Sequence, residues 1–289
     1  MIRVAFVVYR QWAFDIYQSI FDQMTKYDEY SIPLLITTSK HEFSLSSINP
    51  NLMVEILDGK NQEGISILLA KYKIDVVMFY GWSWIVKEPI LSNYICLCLH
   101  PSPLPKYRGG TPIQHQIVAG ETMSAVSVIK MNEGIDSGDI YEQIPFSLAG
   151  TLDEILFRII DIGTVITRNF LEDMINDQIV FTSQSDLENH PPLKRRKQDD
   201  GQIDLEKVKN RPYVEIYNLV RGLTDPYPNA YIVLSDGVLY LQAVRQRKII
   251  TKDVVLLSSN TKGLGLDVKS LAIPVSDGYA LVISSKFKV

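Results

Sequence analysis

Two runs of strand length, Val76–Tyr80 and residues 95–99, are apolar at nearly every position, and this constrains the fold more than any other feature of the chain. A strand with one wet face alternates apolar and polar residues. A strand that is apolar throughout is covered on both faces, as in a parallel sheet with helices above and below. The neighbouring pattern agrees. Residues 3–9 read as a strand, residues 14–24 as an amphipathic helix and residues 31–37 as a second strand, followed by a polar, irregular section through Asn51. Residues 61–72 carry Ile65, Leu68, Leu69 and Tyr72 at helical spacing. Strand-like runs follow at 125–131 and 140–145. A long helix is then opened by the capping-box pair Thr151 and Glu154 and runs to about Asn176.

The composition shifts near residue 182. Residues 183–202 are polar, with Pro191-Pro192 and the basic run Lys194-Arg195-Arg196-Lys197, and read as a linker. A helix over 212–222 and short β-like runs at 231–234, 238–242, 254–257 and 280–283 follow. The expected fold class is therefore α/β. A Rossmann-like, mainly parallel sheet with helices on both faces occupies residues 1–182, and a small β-barrel-like (OB-type) domain occupies residues 203–289.

With 289 residues and 46% hydrophobic composition, the chain has enough apolar mass for two cores. Its net charge of −4 supplies no global basic field, which disfavours a dedicated nucleic-acid binder. Cys96 and Cys98 are the only cysteines, and as neighbours on one strand face they suit neither a disulfide nor a zinc site. That points to a reducing compartment. The run Val4-Ala5-Phe6-Val7-Val8 is too short for a signal segment, and no apolar stretch has the length of a membrane span. A cytoplasmic location with no membrane partner is expected.

With four histidines, the search for chemistry is short. The Gly263-Leu264-Gly265 pair lacks the third glycine and the strand–helix setting of a dinucleotide fingerprint. His41 and His190 lie in polar segments. His100 instead ends an apolar strand and opens His100-Pro101-Ser102-Pro103-Leu104-Pro105, where three prolines stop regular structure at a carboxyl strand end. In open α/β sheets ligands bind at that edge. The loop continues Lys106-Tyr107-Arg108-Gly109-Gly110, basic and backbone-permissive, and suits an anionic ligand. A second loop, residues 131–139, holds Glu133, Asp136 and Asp139 with Gly134 and Gly138. Its spacing departs from a calcium loop, so no metal is expected.

The two loops together, at a His100-to-Asp136 separation of 36, resemble the folate-dependent formyltransferases. Methionyl-tRNA formyltransferase, glycinamide ribonucleotide transformylase and the sugar N-formyltransferases share this core. The stretches 195–204 and 215–230 resemble the entry, first helix and turn of that family's C-terminal domain. The resemblance implies transfer of a formyl group from 10-formyltetrahydrofolate to an amine by an Asn-His-Asp trio, without a metal. Carried onto this chain, the trio becomes Cys98, His100 and Asp136, because cysteine stands where the family has asparagine. A thiol donates more weakly than a carboxamide, so an inactive folate- or nucleotide-binding relative is an alternative reading. The resemblance places the folate against Trp84, Ile85, Val86, Gly134, Ile135 and Asp139. It places the acceptor near Tyr80, Ser102, Lys106, Tyr107, Arg108 and Gln114.

The acceptor expected is a nucleotide-linked amino sugar, with dTDP as nucleotide, as in surface-polysaccharide building. The segments 79–86 and 102–107 look most like the nucleotide-sugar enzymes. The tRNA enzymes carry Gly-Thr-Pro-x-Phe after the first strand, where this chain reads Tyr9-Arg10-Gln11-Trp12-Ala13. They also carry a basic loop after the second strand, where residues 37–51 here hold one lysine, Lys40. That stretch can neutralise few phosphates. A methionyl-tRNA or other small-amine formyltransferase is the alternative. Exposed strand patterning in the C-terminal part is compatible with a homodimer.

Overall fold

The computed structural model describes residues 1–24, 28–48, 52–225, 227–258, 260–262 and 271–288, so the Gly263-Leu264-Gly265 pair lies outside the described residues. The chain divides into two compact units. The first comprises Met1–Pro112, Met123–Ser147 and Asp153–Leu193, the second Ile113–Thr122, Leu148–Leu152 and Lys194–Val289.

The first unit is built on a seven-stranded sheet. Its strands are β1 (Ile2–Val8), β2 (Tyr30–Thr37), β3 (Met53–Ile56), β4 (Val76–Tyr80), β5 (Ile95–His100), β6 (Met123–Lys130) and β7 (Ile140–Ser147), in spatial order β3-β2-β1-β4-β5-β6-β7. The pairs from β3 to β5 are parallel, and β6 and β7 are antiparallel additions at one side. Every residue of β4 has zero exposure, which accounts for its unbroken apolar run. The fold class expected from the sequence is the one observed. Among the flanking helices, α1 (Gln11–Met24) buries Ala13, Phe14, Ile16, Tyr17 and Ile20, one face of a 3.6-residue period. Helix α2 (Gln62–Lys71) is capped by Asn61, whose side chain accepts from Gly64 N at 2.8 Å. Helices α3 (Ile90–Asn93) and α4 (Pro112–Val118) are short, and the long α5 (Leu152–Ile175) buries Ile155, Ile159, Ile166 and Phe170. Strand β3 was not legible in the sequence because it is a short edge strand with Met53 and Ile56 exposed.

The strand order reverses between β1 and β4. Beside that point, β5 ends at His100, and its carboxyl end opens onto the same edge of the sheet.

The second unit holds a five-stranded sheet of β8 (Ala230–Leu234), β9 (Gly237–Arg247), β10 (Val255–Leu256), β11 (Leu271–Val275) and β12 (Gly278–Lys288), ordered β10-β11-β12-β9-β8. All described pairings except β10 with β11 are antiparallel. Helix α6 (Tyr213–Gly222) contributes Ile216 and Val220 to a core with Ile232, Leu239, Leu241, Ile273 and Val282. Among the described residues no helix is long and apolar enough to cross a membrane.

Candidate active site

His100 is the last residue of β5 and is 5% exposed. Its ring lies between two acceptors. Nε2 is 2.9 Å from the Tyr107 carbonyl oxygen, and Nδ1 is 3.4 Å from Asp136 Oδ2. A carbonyl can only accept, so Nε2 carries a hydrogen and donates to Tyr107. In a neutral ring Nδ1 then turns a lone pair toward a carboxylate. A proton arriving between Nδ1 and Oδ2 converts this poor contact into a charge-assisted hydrogen bond. The pair is therefore a ready receiver for a proton.

Asp136 is brought there by an unusual backbone. Its φ of +46° is in the left-handed region that non-glycine residues seldom adopt, and Tyr107 and Thr111 share it at +60° and +52°. This geometry lets Asp136 Oδ2 accept from Gly109 N at 2.8 Å while it faces His100. Gly109 itself has φ +94°, and a Cβ there would lie 2.3 Å from the Leu193 carbonyl oxygen, so only glycine fits. Gly138 is as constrained, since its Cβ would lie 1.7 Å from the Lys130 carbonyl oxygen.

Cys98 lies two residues before His100 and shares its strand face. It is half-buried, and its Sγ donates to the Leu99 carbonyl at a long 3.7 Å. Burial first, and the charge of Asp136 second, hold its thiol well above the ordinary thiol range. Cys96, two residues earlier on the same face, is pushed up to about 12, mainly by burial. Both are neutral thiols near pH 7. Among the described residues, no group of three or more His, Cys, Asp or Glu side chains could hold a metal ion.

Three residues expected to meet the acceptor do other work. Tyr80 has zero exposure and its hydroxyl pairs with Thr167 Oγ1 at 2.9 Å, because β4 is covered on both faces. Ser102 also has zero exposure. Its Oγ donates to the Lys106 carbonyl at 2.8 Å, and its own carbonyl accepts from Ser127 Oγ at 2.6 Å, which closes the proline loop upon itself. Arg108, read as an anion ligand, is 7% exposed and spends its guanidinium on backbone carbonyls: His190 at 2.9 and 2.7 Å, Leu187 at 3.0 Å and Ile135 at 3.3 Å. The basic loop thus presents Lys106, which is exposed, rather than Arg108. Gln114 falls in the second unit and is 2% exposed, with its Nε2 unpaired.

On the expected folate side, Trp84 is half-buried in an aromatic cluster with Tyr9 and Trp82, ring centroids 5.2 and 4.7 Å away. Ile85 and Ile135 are exposed, whereas Val86 is buried in the core beside Phe79 and Ile90. Gly134 and Asp139 are exposed in the acidic loop. Sequence reasoning missed Gln184, whose Nε2 donates to the carbonyls of Asp136 and Gly138 at 3.0 and 2.7 Å. It also missed Gln143, whose Nε2 reaches Ser127 Oγ at 2.7 Å and the Leu104 carbonyl at 3.2 Å. Neither carries a motif, and Gln184 lies within the polar stretch read as a linker.

A family model described as formyl transferase matches residues 37–154, the span that holds β4, β5, His100 and Asp136. A methionyl-tRNA formyltransferase of Lachnospira eligens is 30% identical to the chain over 175 residues, 59% of this chain and 54% of that protein. The chain spans about half the length of the curated relatives it matches. Two solved structures share the fold of this chain. WlaRD, a sugar 3N-formyl transferase solved in the presence of dTDP and 5-N-formyl-THF, gives a TM-score of 0.66 at 18% identity, covering 100% of this chain and 99% of that one. HypX from Aquifex aeolicus, in complex with tetrahydrofolic acid, gives 0.70 at 16% identity, covering 99% of this chain and 44% of that one.

Proposed function

We propose that this chain is a folate-dependent N-formyltransferase that moves a formyl group from 10-formyltetrahydrofolate to the amino group of a nucleotide-linked amino-dideoxy sugar, with dTDP as the nucleotide. The observation that carries formyl transfer is the His100–Asp136 pair, 3.4 Å apart and braced by Gly109 N, inside the matched domain. The folate supplies the formyl carbon as electrophile. The amine must attack it neutral and then lose a proton. The space between His100 Nδ1 and Asp136 Oδ2 accepts that proton, gains a hydrogen bond by doing so, and gives the proton up to N10 as the bond from the formyl carbon to N10 breaks and tetrahydrofolate leaves. The Tyr107 carbonyl holds the ring in place through Nε2 and stabilises its positive charge. Cys98 takes no covalent part, because burial keeps its thiol protonated. Exposed Ile85 and Ile135 offer apolar surface of the kind a flat pterin covers.

The sugar acceptor is supported by the near-complete mutual coverage with the sugar 3N-formyl transferase and by the single lysine in residues 37–51. The tRNA reading is supported by the methionyl-tRNA formyltransferases among its sequence relatives. A panel assay separates them. The chain is given 10-formyltetrahydrofolate with dTDP-linked amino sugars or with charged initiator tRNA, and tetrahydrofolate release is followed. Release with the sugars alone is expected. Release with tRNA alone overturns the sugar assignment, and folate binding without release in any arm overturns the enzymatic one.

A further inference from the structure

The segment after α5 has the composition of a linker, yet it is stitched to both loops that carry the reactive pair. Leu193 N donates to the Arg108 carbonyl at 2.7 Å, and Gly110 N donates to the Leu193 carbonyl at 2.9 Å. Arg108 returns from its loop to the carbonyls of Leu187 and His190, and also takes the Ile135 carbonyl beside Asp136. Gln184 grips the acidic loop directly, with one amide nitrogen shared by the carbonyls of Asp136 and Gly138. Its Oε1 is buried with no partner, so its donor end is the part in use. Turning the amide over would set an oxygen against two carbonyl oxygens, which fixes its orientation.

The carbonyl that Gln184 holds belongs to Asp136, the residue whose left-handed φ aims Oδ2 at His100 and Gly109. Outside glycine that conformation is strained and persists only where surrounding contacts fix it. Rotation of the peptide would swing the carboxylate away from both partners. We propose that Gln184 is a positioning residue for formyl transfer: it holds the Asp136 backbone so that the carboxylate stays on His100, while Arg108 ties residues 187–190 across the two loops. This inference rests on the formyl-transfer reading for its kinetic consequence, but not for its structural one.

The test uses Gln184→Ala and the near-isosteric Gln184→Glu in the full chain, each checked for folding by circular dichroism and thermal midpoint. The first readout is the Gly109 amide by NMR, because its proton lies on Asp136 Oδ2 and reports the carboxylate directly. With Asp136→Ala as the reference for a lost bond, both Gln184 variants should move this amide toward the reference shift and speed its hydrogen exchange. The second readout is steady-state kinetics. A fall in kcat of about tenfold to a hundredfold is expected, with the acceptor KM held within about twofold, since loosened geometry affects the transition state more than binding. In an Asp136→Ala background, Gln184→Ala should cost nothing further. A folded Gln184→Ala chain with an unmoved Gly109 amide, an unchanged kcat, or losses that multiply with Asp136→Ala overturns the proposal. If the wild-type chain releases no tetrahydrofolate with any acceptor, the formyl-transfer reading fails. The Gly109 amide then still decides whether Gln184 holds the carboxylate.

Discussion

Cys98 occupies the position where the family pattern has asparagine, and replacing it with alanine tests whether the thiol does chemistry. An ordinary thiol with a pKa of about 8.5 is roughly one-tenth thiolate at pH 7.5. Burial and the Asp136 carboxylate raise the Cys98 value, so its thiolate fraction at that pH is smaller, and it is a poor nucleophile. As a donor it is weak too, since its hydrogen bond to the Leu99 carbonyl spans 3.7 Å. Cys98→Ala should therefore lower turnover tenfold or less, about 1.4 kcal/mol of transition-state stabilisation at most. His100→Ala removes the ring held between the Tyr107 carbonyl and Asp136, and should lower turnover by about 10²–10⁴, or roughly 3–5 kcal/mol. Cys98→Asn returns a carboxamide donor to β5 and should at least preserve turnover. The assay is the initial rate of tetrahydrofolate release at saturating donor, with circular dichroism confirming folded protein. Iodoacetamide labelling of Cys98 should also lag behind a free cysteine at pH 7.5 and catch up only in more alkaline solution. A folded Cys98→Ala chain as inactive as His100→Ala would refute this reasoning. So would a formylated Cys98 caught by intact mass after rapid quenching, because either result makes the thiol an acyl carrier.

Three further outcomes follow from the same geometry. Gly109→Ala places a Cβ 2.3 Å from the Leu193 carbonyl at a φ of +94°. It should cost about 2–3 kcal/mol in a denaturant titration, from backbone strain plus a lost hydrogen bond, and a loss under about 0.5 kcal/mol would show that Leu193 does not pack there. Tyr80→Phe removes a buried hydroxyl from Thr167 and should cost about 1 kcal/mol of stability with no change in the acceptor KM. A tenfold rise in that KM would return Tyr80 to the acceptor site. Activity should be complete in the presence of a chelator, since the acidic loop uses Asp136 on His100 and on a backbone amide. Loss of activity restored by a divalent ion would make that loop a metal ligand.

The arrangement gives a protein-wide reason for the glycines and polar residues around the pair. The proline loop is closed by Ser102, Ser127 and Gln143, and the acidic loop by Gln184 and by Asn132, whose Oδ1 accepts from Gly134 N and Ser137 Oγ at 3.0 and 2.9 Å. The bonds of Ser102 and Ser127 pair buried groups that would otherwise stand without a partner, and those of Asn132 shape an exposed turn. The cost of holding Asp136 and Tyr107 at positive φ is spread over these contacts.

The sequence by itself determined the α/β class, because an apolar run such as Val76–Tyr80 is stable only when both faces are covered. It also marked His100, since the three prolines after it are a local signal that survives without a partner in space, whereas only the resemblance to the formyltransferases singled out Asp136 from Glu133 and Asp139. The tertiary structure alone decided what the intervening polar residues do. Arg108 reads as an anion ligand in a basic loop, but four hydrogen bonds to the carbonyls of Ile135, Leu187 and His190 take its guanidinium out of reach. Tyr80 reads as an aromatic near a site, but its neighbours on both sides bury it. Gln184 reads as linker, although it holds the Asp136 backbone from 48 positions away. Hydrophobic periodicity records burial one residue at a time, whereas a hydrogen-bond partner is a property of two segments, and nothing in either segment's pattern names the other.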